Sequence, residues 1–162
     1  MGEIARYQCE KCGYRFSASL GVGFDFPRVY AETVEKMKSG KLGEEAKRFF
    51  DEHPDGAINC EDVIMQCEKC GEYDSREALT MYVPKEGHVH KVPEGIWSVA
   101  APFTGQDYVS EWELEEGFTE YADYPHKCET CGGNMRIIAS DEPIVCPHCG
   151  EEMAKSLVGF WD

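Results

Sequence analysis

Four short cysteine knuckles constrain this chain more than any other feature. They run Cys9-Glu10-Lys11-Cys12-Gly13, Cys67-Glu68-Lys69-Cys70-Gly71, Cys128-Glu129-Thr130-Cys131-Gly132 and Cys146-Pro147-His148-Cys149-Gly150. A Cys-x-x-Cys turn aims two sulfurs at one point. The glycine behind it accepts a left-handed backbone, which lets main-chain N–H groups approach the sulfurs. Two such turns complete a tetrahedral four-thiolate site. Four knuckles therefore predict two structural metal sites, with Cys9, Cys12, Cys67, Cys70, Cys128, Cys131, Cys146 and Cys149 as ligands. Zinc (Zn2+, two per chain) suits that donor set, and iron (Fe) takes the same ligands. Only 14 residues separate Cys131 from Cys146, close to the usual two-knuckle spacing, so the third and fourth knuckles are expected to share one ion. The first and second would then share the other across 54 residues.

Disulfide or redox chemistry is the competing use of such cysteines. A thioredoxin-type Cys-x-x-Cys stands alone at a strand–helix junction, whereas these come in pairs. Residues 1–20 carry Glu3, Arg6, Glu10, Lys11 and Arg15 and so lack an apolar signal-peptide core. No apolar run reaches the ~18 residues of a membrane helix. The expectation is a cytoplasmic chain with no membrane partner, where thiols stay reduced and bind metal.

Charge narrows the partners. The formal net charge is −15, and each four-thiolate site holding a divalent ion is itself an anion. Nucleic-acid affinity rests on basic residues that neutralise phosphates. A chain this acidic repels a polyanion unless its cations cluster. The one locally basic stretch is Lys36, Lys38, Lys41, Lys47 and Arg48, offset by Glu44 and Glu45. It offers a nucleic-acid face or simply the solvated side of a helix. A protein partner is the expectation that charge favours.

The pattern between knuckles predicts a small metal-stabilised α+β fold. Pro27 suits a first helical turn, and Tyr30, Val34 and Met37 recur on one helical face before Ser39-Gly40. A second helix follows Gly43, with Glu44 and Glu45 at its positive end and Leu42, Ala46 and Phe49 on one face, until His53-Pro54. Val63–Met65 and Leu79–Val83 read as strands. Tyr108, Ser110, Trp112 and Leu114 alternate with Val109, Glu111, Glu113 and Glu115, which predicts a strand that turns at Glu116-Gly117 and returns over Phe118–Tyr121. Arg136–Ile138 and Ile144-Val145 are expected to form the hairpin of the last module. The expected division is 1–84 (a first ribbon with a two-helix insert), 85–126 (a connecting region with an acidic β-hairpin) and 127–162 (a second ribbon).

Tyr7-Gln8-Cys9-Glu10-Lys11-Cys12-Gly13-Tyr14 and Val145-Cys146-Pro147-His148-Cys149-Gly150 resemble the knuckles of zinc-ribbon proteins in the rubredoxin-like superfamily. The chain is also similar to uncharacterised bacterial zinc-ribbon proteins. The resemblance covers less than half the chain and implies two β-hairpin zinc ribbons with structural metal. It implies no activity, because such ribbons serve many unrelated proteins. An adaptor or protein-interaction module is the function it accommodates best. A rubredoxin-like iron electron carrier, or a nucleic-acid-binding ribbon acting through the helical insert, is the alternative.

The remaining candidates are few. Cys60 fits no knuckle spacing, and beside Glu61 and Asp62 it is expected to be a small apolar residue rather than a reactive thiol. His88 and His90 share one face of an extended segment and could begin a catalytic site, which needs a third ligand that the sequence does not place. His53, His126 and His148 have no marked partner. Seven carboxylates between Asp107 and Asp123 single out no acid–base pair. No catalytic residue and no organic-cofactor site is assigned.

Overall fold

The computed structural model describes residues 2–92 and 106–161. These form three helices and nine strands, arranged as three antiparallel three-stranded sheets. The chain gathers into two compact units, each assembled from separated segments. One holds Met1–Phe24, Glu61–Ala78 and Pro125–Asp162; the other holds Asp25–Cys60 and Leu79–Tyr124. The expected division at residues 84 and 126 does not coincide with these units, since residues 1–84 contribute to both.

The cysteine-bearing unit contains two sheets of one plan. In the first, β1 (Gly2–Gln8) and β2 (Arg15–Leu20) form a hairpin, and β9 (Ala154–Trp161) adds to β1 in the order β2-β1-β9. In the second, β4 (Asp62–Cys67) and β5 (Tyr73–Glu77) form the hairpin, and β8 (Met135–Ile137) adds to β4 in the order β5-β4-β8. Ala5, Tyr7, Ala18, Ile64, Ile138, Ile144 and Met153 are buried in a common cluster. Tyr7, Phe16 and Tyr73 stack in series, with ring centroids 5.0 and 4.8 Å apart.

The expected hairpin between Arg136–Ile138 and Ile144-Val145 does not form. Strand β8 pairs instead with β4, Met65 opposite Ile137 and Cys67 opposite Met135. Val145 makes only an isolated bridge to Glu152. Burial explains the choice: β4 offers the fully buried Met65 and the buried Ile64, a better apolar partner than the short, partly exposed return segment.

The other unit holds the helices. Helix α1 (Phe26–Lys38) begins with Pro27 in its first turn and buries Tyr30, Thr33 and Met37. Helix α2 (Glu44–Glu52) starts after Gly43, carries Glu44 and Glu45 in its first turn and buries Ala46, Phe49 and Phe50. Both agree with the helical spacing. Their apolar faces pack with Ala57, Ile58, Met81, Leu114 and Phe118 around a sheet of β3 (Ala57–Ile58), β6 (Met81–Pro84) and β7 (Phe118–Ala122) in the order β3-β6-β7.

Here a second expectation fails. The Tyr108–Leu114 stretch is not a strand: helix α3 occupies Glu111–Gly117. Ser110 caps it, its hydroxyl accepting the Glu113 N–H at 3.3 Å. Ser110-x-x-Glu113 is a capping-box sequence, and it outweighs the polar–apolar alternation. Trp112 is correspondingly exposed while Leu114 is buried. The return segment is a strand, β7, and it pairs with β6.

Candidate metal centres

Each knuckle is built by the same two backbone hydrogen bonds. The first cysteine donates its N–H to the carbonyl five residues on: Cys9 to Tyr14, Cys67 to Glu72, Cys128 to Gly133 and Cys146 to Glu151, at 2.8–2.9 Å. The following glycine donates back to the first cysteine's carbonyl, also at 2.8–2.9 Å. That closure requires φ of +77°, +78°, +70° and +76° at Gly13, Gly71, Gly132 and Gly150, a region costly to any residue with a Cβ.

Two groups of four sulfurs result, one of Cys9, Cys12, Cys146 and Cys149, the other of Cys67, Cys70, Cys128 and Cys131. In each group all four sulfurs lie within 4.8 Å of one another. Facing sulfurs are 3.4 Å apart for Cys9–Cys149 and Cys12–Cys146, 3.5 Å for Cys67–Cys131 and 3.7 Å for Cys70–Cys128. Zinc–sulfur bonds of about 2.3 Å give a tetrahedral edge near ~3.8 Å. The spacing suits a metal ion and is far beyond the ~2.05 Å of a disulfide. Both groups could hold metal ions.

The pairing of knuckles differs from the expectation. The first meets the fourth and the second meets the third, so the two connections are nested rather than sequential. Strand pairing is the reason. Strands β1 and β4 each run into a knuckle at their C-terminal ends. Their antiparallel partners β9 and β8 each follow one. Gln8 faces Ala154 and Cys67 faces Met135, so each strand pair brings its two knuckles together. The 14-residue spacing is a sequence proximity that the sheets do not use.

Electrostatics favours a cation in both groups. The N–H groups of Cys70 and Lys69 each donate to Cys67 Sγ at 3.4 Å and hold its thiol down to about 6. The Cys12 N–H likewise leads in bringing Cys9 to about 7. Cys70 and Cys149 go the other way, to about 12: N–H donation from Glu72 and Glu151 is outweighed by burial and by the adjoining sulfurs. Four crowded thiols do not all ionise unless positive charge joins them, and a divalent ion supplies it. In each knuckle the first cysteine is buried and the second is more exposed, which puts one side of each cluster near solvent.

Among the other candidates, Cys60 belongs to neither group and is buried in the helical unit's apolar core. His148 packs at a tilt against Tyr14, ring centroids 4.6 Å apart, and faces Glu72 at 3.5 Å; it is outside the clusters. His126 is buried, with Nε2 2.9 Å from the Ala78 carbonyl oxygen. His53 ends α2 against Phe49 and Tyr121. His88 and His90 are brought together on Glu113, a partner that the polar–apolar alternation of residues 108–115 hides. No helix among the described residues is long and apolar enough to cross a membrane. Comparison with protein-family models, curated proteins and solved structures gives no match to this chain.

Proposed function

We propose that this chain is a non-enzymatic zinc protein whose two four-cysteine centres are structural, and that it serves as an adaptor that presents a surface to a protein partner. The observation that carries the metal reading is the gathering of eight cysteines into two four-sulfur groups at near-tetrahedral spacing. All four positions of each centre come from protein thiolates, the closed arrangement of structural rather than catalytic zinc. Each ion would lock a knuckle at the end of one strand to a knuckle ahead of its neighbour. The net charge of −15 supports a protein partner over a nucleic acid.

Elemental analysis of the purified chain, with its visible spectrum, tests the metal. Two zinc ions per chain and a colourless solution are expected. Iron with thiolate-to-iron absorption would replace this reading by electron transfer. Titration with a generic DNA duplex at physiological salt tests the partner class. Weak, salt-sensitive binding is expected, and tight binding would refute the protein-adaptor reading.

A further inference from the structure

The helical unit holds a cavity of about 590 Å³ that the four-cysteine centres do not use. That size lies within the ~300–1,000 Å³ range of ordinary binding pockets. Its apolar walls include Tyr30, Phe50, Val109 and Phe118, each buried in the unit's core. Glu35 on α1, Asp55 after α2 and Asp107 ahead of α3 also line it, and all three are solvent-exposed. Neither Glu35 nor Asp55 has an ion-pair partner among the described residues. An apolar floor thus meets an acidic rim drawn from three separate segments.

One wall is held by histidines. The His90 ring spans two carboxylates, Nδ1 2.8 Å from Glu113 Oε1 and Nε2 2.7 Å from Asp107 Oδ1. His88 Nε2 lies 3.1 Å from the same Glu113 oxygen, and its ring meets Phe118 edge-on with centroids 4.9 Å apart. The His88 N–H donates to the Lys85 carbonyl at 3.0 Å, and Lys85 Nζ donates to the Glu115 and Glu116 carbonyls at 2.9 Å each. The wall is therefore fastened to α3 before anything enters, which lowers the ordering cost of binding. Charge then selects the occupant. Glu35, Asp55, Asp107 and Glu113 set four carboxylates against two cations, Lys38 and a protonated His90, and 2 − 4 leaves −2. Lys38 itself lies over the Phe50 ring, 5.3 Å from its centroid.

We propose that this cavity receives a basic segment of a protein partner. One apolar side chain of the segment sits among Tyr30, Phe50, Val109 and Phe118, and lysines or arginines beside it meet the Glu35, Asp55 and Asp107 carboxylates. The site deepens the adaptor reading and rests on it. The apolar anchor supplies most of the affinity, as anchors in desolvated pockets do. The exposed carboxylates add little each, but they set the sign of the charge that is accepted and make binding salt-sensitive. The same rim repels an acidic peptide and a nucleic acid.

A ¹⁵N NMR titration of the zinc-loaded full chain with three synthetic peptides tests this. The first is a leucine flanked by a pair of lysines on each side. The second has glycine in place of the leucine, and the third has glutamates in place of the lysines. Only the first is expected to shift the amides of Val34, Phe50, Val109 and Phe118 saturably. Its affinity is expected to fall about tenfold when Glu35→Lys and Asp55→Lys are combined, since two exposed attractions become repulsions. It is expected to hold when Asp141→Lys and Glu152→Lys are combined, an equal change of charge on exposed positions of the cysteine-bearing unit. Four results would overturn the site: no saturable shift at those amides; equal shifts with the glycine or the glutamate peptide; an affinity that the rim variant leaves intact; or equal weakening by both double variants. Each of these leaves the adaptor reading standing, because the duplex titration tests it separately; tight duplex binding would remove that reading and this site with it.

Discussion

If the knuckles are paired as nested connections, removing two of them together has different consequences depending on which two are chosen. Consider replacing both cysteines of a knuckle by serine. Loss of Cys9 and Cys12 removes one ion, as does loss of Cys146 and Cys149. Because these four share one centre, the chain lacking both knuckles still holds one zinc ion. Removing the third and fourth knuckles, Cys128, Cys131, Cys146 and Cys149, leaves none. Sequential pairing predicts the reverse: none for the first combination, and one for the chain lacking the third and fourth knuckles. Stability should follow the same logic. A structural zinc contributes on the order of 10–16 kcal/mol to a small metal domain, as much as the whole stability of an ordinary one. Part is loop closure. The facing sulfurs Cys12 and Cys146 are 134 positions apart and Cys70 and Cys128 are 58 apart. Cross-links of those lengths remove about 5 and about 4 kcal/mol of unfolded-chain entropy. The outer centre should therefore matter at least as much as the inner. Combining the first- and fourth-knuckle variants should add no more than about 0.5 kcal/mol to either alone, whereas lesions at different centres should approach additivity. Zinc content with amide exchange reads out both. In the fourth-knuckle variant, residues 2–20 and 154–161 should lose protection, and residues 62–67 should keep it. Loss confined to residues 128–152, or zinc counts in the sequential pattern, would refute the nested pairing.

Chelating both ions should abolish protection in β1, β4, β8 and β9 while circular dichroism retains much of the α1 and α2 signal, because Tyr30, Met37, Phe49 and Phe50 are buried in a cluster without a four-cysteine group; complete loss of helix on chelation would show the two units to be one cooperative core. Ser110→Ala should destabilise the chain by about 1 kcal/mol through loss of the α3 cap, measured by denaturant midpoint, and an unchanged midpoint would remove α3's cap from the argument. His90 should titrate above its ordinary value: burial opposes its charge, but the hydrogen bonds its ring makes to the Asp107 and Glu113 carboxylates prevail. Its stabilising contribution is then full below the unfolded value near ~6.5 and is lost as pH rises through the folded value. Glu113→Gln should lower the midpoint of an NMR titration of the His90 ring, and an unmoved midpoint would exclude that carboxylate as a cause.

What the sequence shows clearly is local. A knuckle is five residues with one positive-φ glycine, so all four are legible, as are α1 and α2 through apolar residues three to four apart. The partners of the knuckles are not legible that way, because eight chemically identical sulfurs carry no address. The address lies in long-range strand pairing, where β8 takes Met65 and Cys67 as neighbours. Helix α3 was obscured for another reason. Tyr108 to Glu115 alternates by eye, yet the capping residues Ser110 and Glu113 state its helical start locally. Once α3 is a helix, Glu113 comes to His88 and His90, and a cluster appears that the histidines alone could not suggest.

Nesting also bears on how such distant knuckles can meet at all. Two excursions interrupt the cysteine-bearing unit, one between β2 and β4 and one between β5 and β8. Each is fastened where it leaves and returns. Gly21 and Asp62 exchange both backbone hydrogen bonds at 2.9 Å across the first. Ala78 donates its N–H to the Glu61 carbonyl at 2.8 Å, and its own carbonyl lies 2.9 Å from His126 Nε2 across the second. Inside the helical unit, Asn59 donates to Thr80 and Leu79 donates to Asn59, at 2.9 and 2.8 Å, so the same two chain crossings are tied from that side too. Once the helical unit folds on its own apolar core, the lengths that the metals must close shrink to the short strands and knuckles between these fastenings. Closure entropy grows only logarithmically with length, but the excursions hold most of that length. Folding of the helical unit should therefore precede loading of the cysteine centres and raise their affinity for metal. A variant that disrupts that core, such as Met37→Asp, should weaken zinc binding at cysteines it does not touch. Undiminished zinc affinity in a chain whose helices have melted would show that the two strand pairs assemble their knuckles unaided.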